Sequence, residues 1–563
     1  MKLLKAILLA AFLVVAACVF FIYVQDQRWR TAYDAGRAAL AESRYAVSEE
    51  QFTESLTAAS WFGAHGLRRA RSLAGLGYLY VALSKDDEAA SLFHRALDVA
   101  EKRLGHDHPE VADCLSGLAT AYGRQAKDAE AAPLFRRALT IRENALGPDH
   151  SEVAQSLNDL AWIYWNEGRY TEAERQARRG LAILERALPA DAEPTAKSLH
   201  GLAWFLIRQD RLDEADHLAR RALATWEKAT GEARLNLALC LGALAAVDSA
   251  RGRCASAREH AERALAVRAE IQGPDHPDVT ACRCNLAATL RDQGRTTEAE
   301  ALYEPAIESF EKTLGPDCPA LAWPLVRLAS IRSSQGRNDE AEALLKRALA
   351  IREKQWRPEH PEIAISLIEL SRFYVKQGRY AEAEPLARSS LVILESTNLP
   401  TEVARAFDVL ARIDSQRGSN DEAEATFRRA LALRDEHPSG DDRQTAELLD
   451  NYAAFLRKVG RNAEAQTMET RAKAIRARSD CASPAGVDDR PSDERNSRVT
   501  NSKASRERLP RDRSPEHGLG VSPYICYTAL PRSVRRSRGS GSPSIGRPST
   551  QPSSIRDLNL LIK

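Results

Sequence analysis

Four histidines, His108, His150, His276 and His360, stand beside an acid at matching points of the chain. Imidazole close to carboxylate is metal-ligand chemistry. Their places argue against it, since each lies in a separate loop, one to a repeat, and the set cannot converge on one ion. They are expected instead to cap or brace the helix that follows. Cys282 and Cys284 form C-x-C, but two positions along a helix their side chains diverge by about 200°. No Gly-rich phosphate loop, H-E-x-x-H, C-x-x-C or nucleophile elbow occurs. The chain therefore reads as non-catalytic, with no cofactor, no metal and no small-molecule substrate.

Other residues suit recognition rather than reaction. Asn158, Trp162 and Trp165 are spaced i, i+4 and i+7, so they share one stripe of a helix. His200 and Trp204 take the same columns one unit later, and Arg291, Arg372 and Arg412 take them further on. Indoles offer apolar anchors and guanidinium groups pair with carboxylates. A protein or peptide with an apolar anchor and acidic residues would match both stretches. The same indoles could equally fill the packing between units.

What positions these columns is a repeat. Ala89, Ala131, Ala173, Ala215, Ala257, Ala299, Ala341 and Ala383 are equally spaced, Ala423 comes two residues early and Ala465 restores the step. A period of roughly 42 residues, sustained from about Arg71 to Arg478, means stacked supersecondary units. In one unit Val153, Leu157, Leu160, Ala161 and Tyr164 mark a first amphipathic helix, Gly168 ends it, and Ala173, Ala177, Leu181 and Leu184 mark a second. Loops such as Leu146-Gly147-Pro148-Asp149-His150 and Gln272-Gly273-Pro274-Asp275-His276-Pro277 join the units. Two further small-residue columns, containing Ala161 and Gly180, allow close helix approach. Pro324 falls inside a first helix and should kink or delay it. Asp248, Arg332 and Asp414 replace the late aromatic seen at Tyr122, Tyr164 and Tyr374, which predicts looser repeats there.

The small-residue columns, the late aromatic and the turn Gly-Arg-x-x-Glu-Ala, carried by Gly168-Arg169, Gly294-Arg295, Gly336-Arg337 and Gly378-Arg379, resemble the tetratricopeptide repeat family. The longer period and the Leu-Gly-Pro-Asp-His-Pro loop resemble its kinesin-light-chain-type subclass. The resemblance implies an all-α fold, a right-handed α-solenoid of about ten hairpins over residues 71–478, whose first helices line a concave, peptide-binding groove. Asn158, Trp162, Trp165, His200, Trp204, Arg291, Arg372 and Arg412 would face it. The asparagines that hold peptide backbone in that subclass correspond here only to Asn285 and Asn451.

Residues 28–70 read as degenerate capping helices. Before them, Lys2 and Lys5 precede an apolar run from Ala6 to Val24, close to the roughly 20 residues that span a bilayer. Residues 1–27 are thus expected to be a single-pass signal anchor, with the array on the periplasmic or extracytoplasmic side. Val15-Ala16-Ala17-Cys18 also resembles a lipoprotein cleavage box. The alternative function is a soluble cytosolic regulator of signalling enzymes. Residues 479–563 are rich in Ser, Pro and Arg and read as a disordered basic tail. Formal net charge is only +2, and no nucleic-acid partner is expected.

Overall fold

A computed structural model describes residues 2–477, apart from 42–43, 64–65, 84, 126, 396, 398 and 437–441. The tail at 479–563 lies outside the described residues. Those residues form 22 α-helices and no strand. In chain order the hairpins are α1 (Lys2–Ala41) with α2 (Tyr45–Ala59), α3 (Leu67–Ala82) with α4 (Asp86–Leu104), and α5 (Pro109–Arg124) with α6 (Asp128–Leu146). Next come α7 (Ser151–Asn166) with α8 (Tyr170–Ala187), α9 (Glu193–Arg208) with α10 (Leu212–Trp226), and α11 (Arg234–Ala250) with α12 (Cys254–Gln272). Then α13 (Pro277–Asp292) pairs with α14 (Thr296–Leu314), α15 (Ala322–Ser334) with α16 (Asn338–Gln355), and α17 (Pro361–Lys376) with α18 (Tyr380–Leu394). The last are α19 (Pro400–Arg417) with α20 (Asn420–Glu436) and α21 (Asp442–Lys458) with α22 (Asn462–Ala477). The chain is an α-solenoid.

Local chemistry sets each boundary. His108, His150, His276 and His360 are N-caps: each Nδ1 accepts from the backbone N–H two residues on, at 3.1–3.3 Å. Proline follows three of them at the first helical position, where its missing N–H costs nothing. From α7 onward the turn inside the hairpins is set by a residue in the left-handed region: Asp210 (φ 61°) between α9 and α10, and elsewhere a glycine, as at Gly168 (φ 76°). There the Arg169 N–H returns to the Tyr164 carbonyl at 2.8 Å, closing the helix end. Arg169 then lies over the Tyr164 ring at 4.3 Å and pairs with Glu172 at 3.0 Å, and Arg379 repeats the contact with Tyr374. At Asp248 and Arg332, two of the places where the aromatic is missing, the site is filled rather than loose, which corrects the sequence expectation there. Asp248 is 1% exposed and is held by Arg253 and by His260 at 3.0 Å; Arg332 is buried against Glu300 and Glu304. Asp414 stays half-buried. Pro324 delays its helix: a 3-10 turn, Pro319–Leu321, precedes α15, and the proline occupies the first helical turn.

Packing follows the small-residue columns. All ten alanines from Ala89 to Ala465 are 0% exposed. They sit where neighbouring helices meet, leaving no room for a larger side chain. At Gly180 even a Cβ would come within 2.8 Å of Asn158 Oδ1, which accounts for glycine in a column of alanines.

The solenoid also touches itself. His360 Nε2–H donates to the Asn166 carbonyl at 2.9 Å, across 194 residues. Arg208 pairs with Glu362 at 2.7 Å and reaches Glu402 at 3.5 Å. Pro361 lies against Gly168, where an added Cβ would meet it at 2.4 Å; at Gly294, Gly336 and Gly378 the same space is open. One turn of the superhelix thus rests on the next between α7–α9 and α17–α19.

The N-terminus forms an additional hairpin. Helix α1 passes through the 27/28 boundary without a break. Its first part is the one described helix apolar enough to cross a membrane, with Phe12–Val24 exposed on all sides. Its second part packs into the solenoid through Trp29, Ala32, Ala39 and Leu40.

Candidate partner-binding surface

The first helices of the hairpins carry the candidate columns, and the surface divides in two. In the aromatic stretch Trp162 is half-buried and meets Phe205 edge-on at 4.9 Å. Asn158 Oδ1 accepts from the Ser198 hydroxyl at 3.2 Å, which fixes its amide. Trp204 is half-buried with His200 edge-on to it at 6.4 Å. Burial, assisted by nearby Arg268, lowers His200 to about 4, so its imidazole is neutral at pH 7. Trp165 is different. It is 7% exposed, stacked on Phe205 at 5.0 Å and packed on Tyr170 at 4.8 Å. Its expected place on an open groove is corrected: it belongs to the core that joins α7 to α9.

The charged stretch lies further along. Arg291 pairs with Asp292 at 2.6 Å. Arg372 pairs with Glu447 and approaches Glu369 at 3.9 Å. Arg405 bridges Glu369 and Glu402, the latter at 2.6 Å. Burial alone would raise the Glu369 carboxyl, but Arg405, Arg372 and Arg327 outweigh it and bring the group to about 2. Asp408 goes the other way: burial raises it to about 6 despite Arg412 and Arg372, and the Asn451 amide donates to both its oxygens at 3.0 and 3.1 Å. Asn451 is thereby engaged, and Asn285 is half-buried. Two guanidinium groups stand apart. Arg327 lies over Trp323 at 5.3 Å with its Nε buried and unbonded. Arg412 is half-buried and forms no hydrogen bond or ion pair among the described residues. A small cleft here is lined by Arg372, Arg405, Asp408, Arg434 and Glu447. Among the described residues no group of His, Cys, Asp and Glu could hold a metal ion.

Hairpins, glycine turns, capping histidines and alanine columns recur in register, and the comparison with known families agrees. A family profile described as tetratricopeptide repeat matches residues 82–144, 127–186, 194–270, 244–312, 278–354 and 327–396, more than half of the chain. The chain belongs to the tetratricopeptide repeat family. Solved structures similar to this tetratricopeptide repeat chain include kinesin-light-chain TPR-like repeats from Podosopora anserina, 22% identical over 44% of this chain and 98% of that one, TM-score 0.25. Another is BtubC (BKLC) from P. vanneervenii, 24% identical over 40% and 89%, TM-score 0.31. A third is the apo quorum sensor NprR from B. thuringiensis, 12% identical over 65% and 98%, TM-score 0.46. No curated protein matches this tetratricopeptide repeat chain.

Two features of this tetratricopeptide repeat array escaped the periodicity argument. One is a column of buried arginines near the ends of second helices. Arg142 donates to Ser116, Ser156 and Asp113; Arg268 to Asp278; Arg352 to Ser366 and Glu362, reaching into the next hairpin each time. Their shared register was a readable signal. The other is the contact between superhelical turns. Its one trace in the sequence is a loop that departs from its relatives, Trp356-Arg357-Pro358-Glu359-His360, in which Trp356 stacks on the capping His360 at 4.3 Å.

Proposed function

We propose that this chain is a membrane-anchored scaffold that captures a segment of another protein along the inner surface of its first helices. Trp162 and Trp204 supply apolar anchors, with Asn158 and His200 beside them. Arg412, then Arg372 and Arg291, receive acidic residues of the same segment. The observation that carries this reading is Arg412, a half-buried guanidinium that feels Asp408 and Glu447 nearby but forms no hydrogen bond or ion pair among the described residues. Such a cation is poised for a carboxylate supplied from outside. Tryptophan and arginine are also the side chains that most often dominate an interface. Helix α1 would hold the array at the bilayer, its short basic N-terminus remaining in the cytosol and the repeats outside.

The test is capture of partners from cross-linked cells by the full chain. Trp162→Ala with Trp204→Ala should abolish recovery of the partner, and Arg412→Ala should weaken it at least ten-fold, with helicity unchanged in both. Undiminished recovery by both variants would remove the inner surface from consideration.

A further inference from the structure

The first hairpin carries an exposed aromatic that neither packing nor the partner surface uses. Trp61 stands on a 3-10 turn, Ser60–Phe62, immediately after α2, and is 63% exposed. Its ring meets Phe21 of α1 edge-on at 5.1 Å. Phe21 is itself inside the apolar run, three residues before Val24, or about 5 Å along a helix at 1.5 Å per residue. The turn therefore lies level with the last helical turn of the apolar segment.

Directly beyond this level, away from the apolar run, the side chains become charged and mutually paired. Asp26 binds Arg30 at 2.9 Å and Arg68 at 2.6 Å, and Arg28 binds Glu54 at 2.9 Å. Arg68 also lies over the Phe62 ring at 4.1 Å. Apolar helix, aromatic level and charged collar follow one another as hydrocarbon, headgroup zone and water do across a bilayer surface, and tryptophan favours the middle layer. A protein partner would have to wrap the whole circumference of Phe12–Val24, since every face of that segment is exposed; a lipid bilayer does so without further assumption.

We infer that the Ser60–Phe62 turn is a second membrane contact, with Trp61 seated in the headgroup zone of the bilayer that α1 enters. This rests on the reading of α1 as a membrane anchor. Because α1 continues unbroken into the solenoid, the two contacts together would hold the array at a fixed tilt instead of on a loose tether.

The full chain and its Trp61→Phe variant are reconstituted into phosphatidylcholine vesicles, with and without bromine on the upper acyl-chain carbons. Flotation tests the anchor, and the wild-type-minus-variant emission isolates Trp61. The expected result is that both proteins float and that the difference emission is blue-shifted and loses most of its intensity with brominated lipid. Flotation of both with an unshifted, unquenched difference emission would overturn the second contact and leave the anchor standing. Failure of both to float would overturn the anchor and this inference with it.

Discussion

Trp165 and Arg291 occupy the same column of the repeat, three units apart, yet they live in different surroundings. Trp165 is sealed between Phe205 and Tyr170, at the place where Gly168 and Pro361 bring two superhelical turns together. Arg291 remains half-buried beside Asp292, with no second turn against its hairpin's glycine, Gly294. A similar contrast separates Arg208, locked to Glu362 and Glu402 across turns, from Arg412, which forms no direct ion pair among the described residues. Position within a repeat fixes which way a side chain faces. Whether that face meets solvent depends on what the solenoid lays over it.

Several substitutions would break or sharpen this contrast. The largest effect is expected at Trp165→Ala, which leaves a cavity in the α7–α9 core and should cost about 3–5 kcal/mol in chemical denaturation. Trp162→Ala, removing a half-buried indole, should cost about 2 kcal/mol or less. The reverse order would show that the two indoles have been assigned to the wrong roles. Arg208→Ala comes next. It leaves Glu362 with only Arg352 and Glu402 with only Arg405 in a largely buried site, and should cost about 3 kcal/mol, the low end for breaking a buried pair, because each carboxylate keeps one arginine. A stability change no larger than that of an exposed arginine would mean that the cross-turn pair contributes nothing. The smallest effect is a difference between two glycines. Gly168→Ala and Gly294→Ala both force a side chain into the left-handed region, at φ 76° and 78°, and each should lose about 1 kcal/mol or more. Only Gly168→Ala also collides with Pro361, so its loss should be the greater, read as a lower thermal midpoint. Equal midpoints would argue that the turns can separate freely.

Much of this architecture was legible in the residues because it is set locally. The alanine interval marked the helix contacts, and each interval alanine proved fully buried. The glycine turns and histidine caps act within a few residues of themselves, so spacing alone exposed them. The cross-turn contact is different in kind. It depends on small rotations accumulated over hairpin after hairpin until Asn166 meets His360, 194 residues away, and no local motif encodes that sum. That is why Trp165 could be placed on the correct helix stripe and still be misjudged as open. Charge replacement was hidden for another reason: Asp248 and Arg332 look like defects in an aromatic column, and only their partners, Arg253 and His260 or Glu300 and Glu304, show the vacancy filled by ion pairs.

The distance between the two turns tests the central claim most directly. Spin labels on Thr171→Cys and Glu359→Cys, in a chain carrying Cys18→Ser, Cys481→Ser and Cys526→Ser, flank the contact on exposed positions. A closed solenoid predicts one narrow, short distance that lengthens in the Arg208→Ala background. A broad distribution of long distances in the otherwise unaltered chain, indifferent to Arg208, would contradict the account.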